Sequence, residues 1–174
     1  WLKGMRLQFY PMTWLAYTAG ALAASPADGV FGNPLFWLGY LCLFFLEVAT
    51  VLINEWVDFQ SDRNNRFFST FTGGSRVLVE GLLSLRELRI GVTVALVAFL
   101  ISSALLSSLM PAGTRVAVAL LAAMTVLAIG YTAPPLKLCY RGLGELDVAV
   151  THSIGVILCG YVFLGGTWND VLPW

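Results

Sequence analysis

The chain has 174 residues, 58% of them apolar and 11% charged, with a mean hydropathy of +0.79. Soluble domains carry about a quarter charged residues, so this composition excludes a soluble globular domain and indicates an all-α, polytopic membrane protein. Its ten basic and ten acidic residues balance to zero, which removes the basic excess that nucleic-acid partners require.

In chain order, Trp1 to Arg6 is a short basic, aromatic lead that reads as an interfacial anchor. Five apolar segments follow, at about 8–24, 35–57, 88–109, 115–131 and 146–166, each near the ~20 residues a bilayer core requires. Pro11 fits the opening turn of the first. Ser25 to Pro34 reads as a turn, as do Met110-Pro111-Ala112-Gly113 and the stretch Thr167-Trp168-Asn169-Asp170. Two polar connections, 58–87 and 132–145, separate the spans. With five spans, every basic residue except Arg115 falls on one side: Lys3, Arg6, Arg63, Arg66, Arg76, Arg86, Arg89, Lys137 and Arg141. This is a strong positive-inside pattern, so the N-terminus and both connections are expected in the cytoplasm. The cysteines (Cys42, Cys139, Cys159) lack metal-ligand spacing and read as small interior or lipid-facing residues.

The polar chemistry concentrates in the connections. Asn54, Asp58 and Asp62 are spaced by four, so on a helix they share one face at the mouth of the second span. Hard carboxylate and carbonyl oxygens suit Mg²⁺, which uses one or two carboxylates plus water and substrate phosphate; a solvated helix end is the alternative. Downstream, Gly73-Gly74 permits backbone geometry that can cradle an anion, or forms a plain loop. The second connection has Pro134-Pro135 to stop a helix, then Lys137 and Arg141, which bind phosphate or only anchor the topology. Acids on one connection and cations on the other suit a Mg²⁺–diphosphate group. Beside an apolar bundle, that implies a substrate with a charged head and a greasy tail, the form of a prenyl diphosphate.

Asn54-Glu55-x-x-Asp58-x-x-x-Asp62 resembles the first acidic motif of the UbiA-type intramembrane prenyltransferases, with Glu55 in place of the usual first Asp. Gly73-Gly74-Ser75-Arg76-Val77-Leu78-Val79-Glu80-Gly81 and Tyr140-Arg141-Gly142-Leu143-Gly144-Glu145 are similar to the dihydroxynaphthoate (menaquinone-pathway) branch. Tyr131-Thr132-Ala133-Pro134-Pro135-Leu136-Lys137-Leu138 resembles the segment after the fourth helix across the superfamily. The resemblance implies a nine-helix bundle, of which about five spans are present, in a bacterial plasma membrane. It also implies Mg²⁺-assisted loss of diphosphate and attack on the allylic cation by an electron-rich ring. Asn54, Asp58 and Asp62 would bind the metal, Lys137 and Arg141 would neutralise the leaving diphosphate, and Arg63, Arg66 and Arg76 would join the substrate-binding set. Tyr131 would face the cation or anchor the interface.

The family's second acidic motif, D-x-x-x-D, has no counterpart here; Glu145 and Asp147 do not fit it. The chain is accordingly expected to be the N-terminal part of an enzyme, or a degenerate homologue. Glu47, mid-span and seven residues before Asn54, points to nearly the same face at greater depth. It is either a substrate-facing group or a helix–helix hydrogen-bonding residue. His152 reads as a satisfied interior residue rather than a base. Dihydroxynaphthoate is the first-choice acceptor, another aromatic or a chlorin-type ring the second. The competing class is a small transporter or channel subunit, but no internal repeat supports it, and a structural subunit would not require opposed acidic and basic connections.

Overall fold

The computed structural model describes residues 1–69, 73–110 and 114–167. These residues are all-helical, without a strand among them. Five principal helices carry the fold: α1 (Tyr10–Ala24), α2 (Pro34–Val57), α3 (Leu85–Leu109), α4 (Thr114–Gly130) and α5 (Gly144–Phe163). Among the described residues three of them, α2, α3 and α5, are long and apolar enough to cross a membrane, and α4 is a shorter apolar helix. At 15 residues α1 is shorter still, about 22 Å of helix.

Local chemistry explains the boundaries. Asn33 Oδ1 accepts from the Leu35 amide at 2.9 Å and Pro34 supplies the first helical position, which together open α2. The third segment starts three residues earlier than hydropathy alone indicates. Ser84 and Glu87 close a reciprocal cap, with Ser84 Oγ accepting from the Glu87 amide at 3.2 Å and Glu87 Oε2 accepting from the Ser84 amide at 2.7 Å. The fifth segment begins at Gly144 and contains a π turn, Val150–Ile154. Of the predicted turns, Pro111, Ala112 and Gly113, and Trp168, Asn169 and Asp170, lie outside the described residues.

Two helix pairs make the bundle. α1 packs on α5 with backbones in contact: a Cβ on Gly20 would lie 1.9 Å from the Ile157 carbonyl oxygen, and one on Gly160 would lie 2.1 Å from that of Tyr17. Glycine at such crossings lets helices approach where lipid provides no hydrophobic drive. Tyr17, fully buried, donates its hydroxyl to the Phe36 carbonyl at 2.9 Å and ties α1 to α2. The second pair is α2 with α3, joined through Leu52, Leu88, Val92 and Ala95, and the connection between them adds Val77 and Leu83 to the same cluster. The first polar connection is therefore folded onto the helix ends. Lys3 pairs with Glu80, and Gly4 lies against Val77 and Leu83, so the N-terminal lead covers it.

Candidate active site

α2 ends at Val57 and the chain bends at Asp58 before a short helix, Phe59–Asn64. Hydrogen bonds four residues apart nonetheless run through the bend: the Asp58 amide donates to Asn54 O and the Asp62 amide to Asp58 O, each at 2.8 Å. The four-residue spacing therefore still acts as one face, and Asn54, Asp58 and Asp62 all line one cavity of about 530 Å³.

Glu55 has a different role from its neighbours. It is 3% exposed, and its carboxylate accepts from the Ser75 amide at 2.9 Å, the Ser75 hydroxyl at 2.7 Å and the Leu78 amide at 3.3 Å. One side chain on α2 thus holds the connection that returns across the cavity mouth. Arg76 completes the clamp, donating to the Asp62 carbonyl at 2.6 Å while its guanidinium lies 3.9 Å over the Phe68 ring. The clamp brings Gly73 and Gly74 to the cavity in left-handed backbone, φ 81° and 75°. A Cβ on Gly74 would fall 2.1 Å from Asp62 Oδ2, so only glycine leaves that carboxylate room. Phe71 and Thr72 of the same stretch lie outside the described residues.

The second connection reaches the acids through hydroxyls. Thr132, fully buried, donates to Asn54 Oδ1 at 2.6 Å, and the Tyr140 hydroxyl donates to Asp58 Oδ1. Its predicted cations sit further out. Arg141 is exposed and donates to the Pro135 carbonyl at 3.0 Å, and Lys137, also exposed, lies 5.6 Å over the Tyr140 ring. Neither lines the cavity, nor do Arg63, Arg66 and Arg76; Tyr131 does. The basic residue that lines it is Arg6, read from sequence only as an anchor. Arg6, Arg76 and Lys137 are the non-glycine residues with positive φ among those described, at 55°, 59° and 47°. Such backbone is strained for residues with a Cβ and concentrates at functional sites. Here Arg6 turns onto the cavity wall, Arg76 to the Asp62 carbonyl and Lys137 over the Tyr140 ring.

The electrostatics follow from crowding. Burial pushes the Asp62 carboxyl above the usual carboxylate range, and repulsion from Glu55 and Asp58 adds to it, against Arg6 and Arg76. Burial also raises Asp58; Glu55 adds to that, while the Tyr140 hydrogen bond, Lys137 and Arg6 oppose. The hydrogen bond to Asp58 in turn raises the Tyr140 phenol, with burial contributing. Two carboxyls held up by burial and by the Glu55 charge, with Asp58 adding to it at Asp62, are short of positive charge.

Below this rim the wall turns apolar, with Leu43, Leu46, Met124 and Val156, interrupted by Glu47, Thr13, Asp147 and His152. Glu47 therefore faces the cavity. His152, on the π turn, also lines it, with its Nδ1 3.0 Å from Thr151 Oγ1. A separate, shallow depression along Leu85, Arg86, Arg89 and Ile90 carries no carboxylate.

The family model of the UbiA prenyltransferase family matches residues 13–174. The chain belongs to the UbiA prenyltransferase family. No curated protein and no solved structure matches it. Membership makes it a prenyltransferase-family membrane protein whose family works on prenyl diphosphates.

The donor set fits the Mg²⁺ that UbiA enzymes generally use. Among the described residues no three His, Cys, Asp or Glu side chains form a ready-made metal site. Mg²⁺ does not demand one, since it keeps water and takes substrate phosphate as ligands. Two raised carboxyls on one face, with a glycine cradle held open beside Asp62, would supply the protein's share. Sequence reading missed Glu55, Arg6, Thr132 and Tyr140 as site residues. The signal for Glu55 was the Asp-to-Glu departure inside the motif itself: the longer side chain reaches the loop.

Proposed function

We propose that the protein transfers a prenyl group from a prenyl diphosphate to an aromatic acceptor in a Mg²⁺-dependent reaction. The first-choice acceptor is 1,4-dihydroxy-2-naphthoate, in quinone biosynthesis; another aromatic or chlorin-type ring is the second. The observation that carries this reading is a single cavity with paired carboxyls at its mouth and an apolar wall beneath. The mouth suits a metal-bound diphosphate and the wall a hydrocarbon tail.

Asn54, Asp58 and Asp62 would hold Mg²⁺, which when bound offsets the diphosphate charge and makes it a better leaving group. Arg6 at the rim stabilises the phosphate oxygens as negative charge builds on them, and Lys137, over the Tyr140 ring, acts on Asp58 at longer range. Arg63, Arg66, Arg76 and Arg141 stand outside the cavity lining and act at longer range or through the loops that carry them. Leu43, Leu46, Met124 and Val156 keep water from the allylic centre, and the Tyr131 ring faces its positive charge. The basic asymmetry supports a cytoplasmic N-terminus and cytoplasmic connections, and the family resemblance supports a bacterial plasma membrane as the setting.

The test is binding and turnover of a panel of prenyl diphosphates by the protein in detergent, with and without Mg²⁺, against dihydroxynaphthoate and other ring acceptors. Mg²⁺-dependent binding and prenylated product are expected. Ion flux in liposomes without prenyl diphosphate binding would replace this reading with a transporter.

A further inference from the structure

A hydrocarbon tail explains the apolar wall of the cavity and not the carboxyl group set into it. Glu47 is 9% exposed and Thr13 3% exposed. They come from different helices, α2 and α1, and both line the cavity. Glu47 Oε2 and Thr13 Oγ1 are each buried without a well-formed hydrogen bond, although the two side chains stand close enough to interact with each other. Tyr10, three residues before Thr13 on the same helical face, carries a third such oxygen. Buried polar atoms are rarely left unsatisfied, and two of them on one cavity wall call for a polar group that completes their hydrogen bonds. Glu47 lies seven residues below Asn54 on the same helix, about 10 Å along its axis. That separation leaves room for one or two fused rings between this point and the diphosphate end.

We infer that Glu47 and Thr13 form a hydroxyl-binding subsite that fixes the aromatic acceptor, with an acceptor hydroxyl donating to Glu47 Oε2 and accepting from Thr13 Oγ1. The subsite anchors one end of the ring system and leaves the other end pointing at the prenyl carbon beneath the metal site. It selects hydroxylated rings over their ethers, because a methyl ether has no proton for Glu47 and adds bulk in a closed site. The existence of the subsite rests on the orphaned oxygens; that its ligand is a prenyl acceptor rests on the function proposed above.

The experiment measures calorimetric binding of 1,4-dihydroxy-2-naphthoate and its 1,4-dimethoxy analogue to the protein in detergent, for wild type, Glu47→Gln, Glu47→Leu and Thr13→Val. Wild type should prefer the hydroxylated ring by about 30-fold or more, about 2 kcal/mol by the tenfold-per-1.4 conversion. Glu47→Leu should bring that preference to near unity, Thr13→Val should reduce it, and Glu47→Gln should keep most of it. Prenyl diphosphate binding should be unchanged in all four proteins. Equal wild-type affinity for the two rings overturns the subsite, as does an unchanged preference in both Glu47→Leu and Thr13→Val. If Glu47→Leu fails to fold, Thr13→Val, which loses one hydroxyl and keeps its shape, decides. Discrimination between the rings without prenyl transfer would keep the subsite and sink the proposed reaction; transfer without discrimination would do the reverse.

Discussion

The two polar connections differ in how they meet the acidic face. The first, after α2, is folded inward: Glu55 grips Ser75 and Leu78, Arg76 caps the Asp62 carbonyl, and Gly73-Gly74 lies against Asp62. The second, before α5, stays at the surface and touches the acids with two hydroxyls, Thr132 on Asn54 and Tyr140 on Asp58. Its cations point elsewhere, Arg141 to its own loop and Lys137 over Tyr140. Charge pattern suggested an acidic connection facing a basic one. Instead, one connection builds the site and the other tunes it, and the cavity's own cation comes from the N-terminal lead.

The sharpest way to break this contrast is at the acids. Asp58→Asn and Asp62→Asn keep shape and remove metal-ligating charge, so each should lower prenyl transfer by roughly 100-fold or more while the protein stays folded. Near wild-type turnover at limiting Mg²⁺ in either variant would remove that residue from the metal set.

Next comes the clamp. Glu55→Ala leaves a buried hydroxyl and two amides without their acceptor, and should lower stability by about 3 kcal/mol. Hydrogen exchange should rise across 73–80 and leave 132–143 unchanged. Thr132→Val, on the other connection, deletes one hydrogen bond and should lower stability by about 1 kcal/mol. Equal losses would mean that the two connections are held alike.

A smaller structural lesion tests the cradle. Gly74→Ala adds a Cβ where φ is +75° and Asp62 Oδ2 would lie 2.1 Å away. It should lower stability by roughly 1–2 kcal/mol and raise the Mg²⁺ requirement. Gly81, also at positive φ, has nothing within 4 Å of a Cβ, so Gly81→Ala should leave the Mg²⁺ requirement unchanged.

The sequence made the all-helical bundle and the acidic face legible for a common reason. Both are periodic: apolar runs of bilayer length, and acids every fourth residue, whose spacing survives even the bend at Asp58. What it hid was long-range and carried by single side chains. Nothing local in Arg6 tells that its backbone turns left-handed and puts it on the cavity wall. Thr132 read as part of a helix-stopping segment, and its bond to Asn54 crosses 78 positions. The cations Lys137 and Arg141 are legible by charge and by the resemblance of their segments, and neither gives the direction in which a side chain points. Glu47 was legible in place, because an acid mid-span on the face of Asn54 has few positions open to it.

That distinction can be sharpened at the cations. Arg6→Gln should weaken prenyl diphosphate binding by about 10-fold, the size expected for one charged hydrogen bond. Arg141→Gln, whose guanidinium is engaged with Pro135, should weaken it about 2-fold or less. The measurement is direct binding with a non-hydrolysable analogue, with acceptor affinity as control. A larger loss in Arg141→Gln than in Arg6→Gln would restore the second connection as the diphosphate site. A loss confined to acceptor affinity would take that cation out of it.

The smallest effect expected is a shift in stability with pH and Mg²⁺. Asp58 and Asp62 have carboxyl pKa values raised in the fold, by burial first. A raised acid binds its proton more readily folded than unfolded, so the stability it contributes is full below the unfolded carboxyl values, is lost as pH rises through the folded ones, and does not change further above them. At pH 8 protons compete least for these oxygens, so the repulsion that Asp62 feels from Glu55 and Asp58 is at its largest and a divalent cation offsets it. At pH 5 protons compete for the same oxygens. Mg²⁺ should therefore raise the melting temperature by a few degrees at pH 8 and by less at pH 5. Asp62→Asn should raise the metal-free melting temperature at pH 8 and shrink the Mg²⁺ effect. The clamp variant Glu55→Gln is the counterpart on the same connection. Its carboxylate is already satisfied by Ser75 and Leu78, so the substitution should lower stability and keep the larger Mg²⁺ effect at pH 8. If Mg²⁺ stabilised Asp62→Asn as much as wild type and Glu55→Gln not at all, the metal and clamp roles would have to be exchanged.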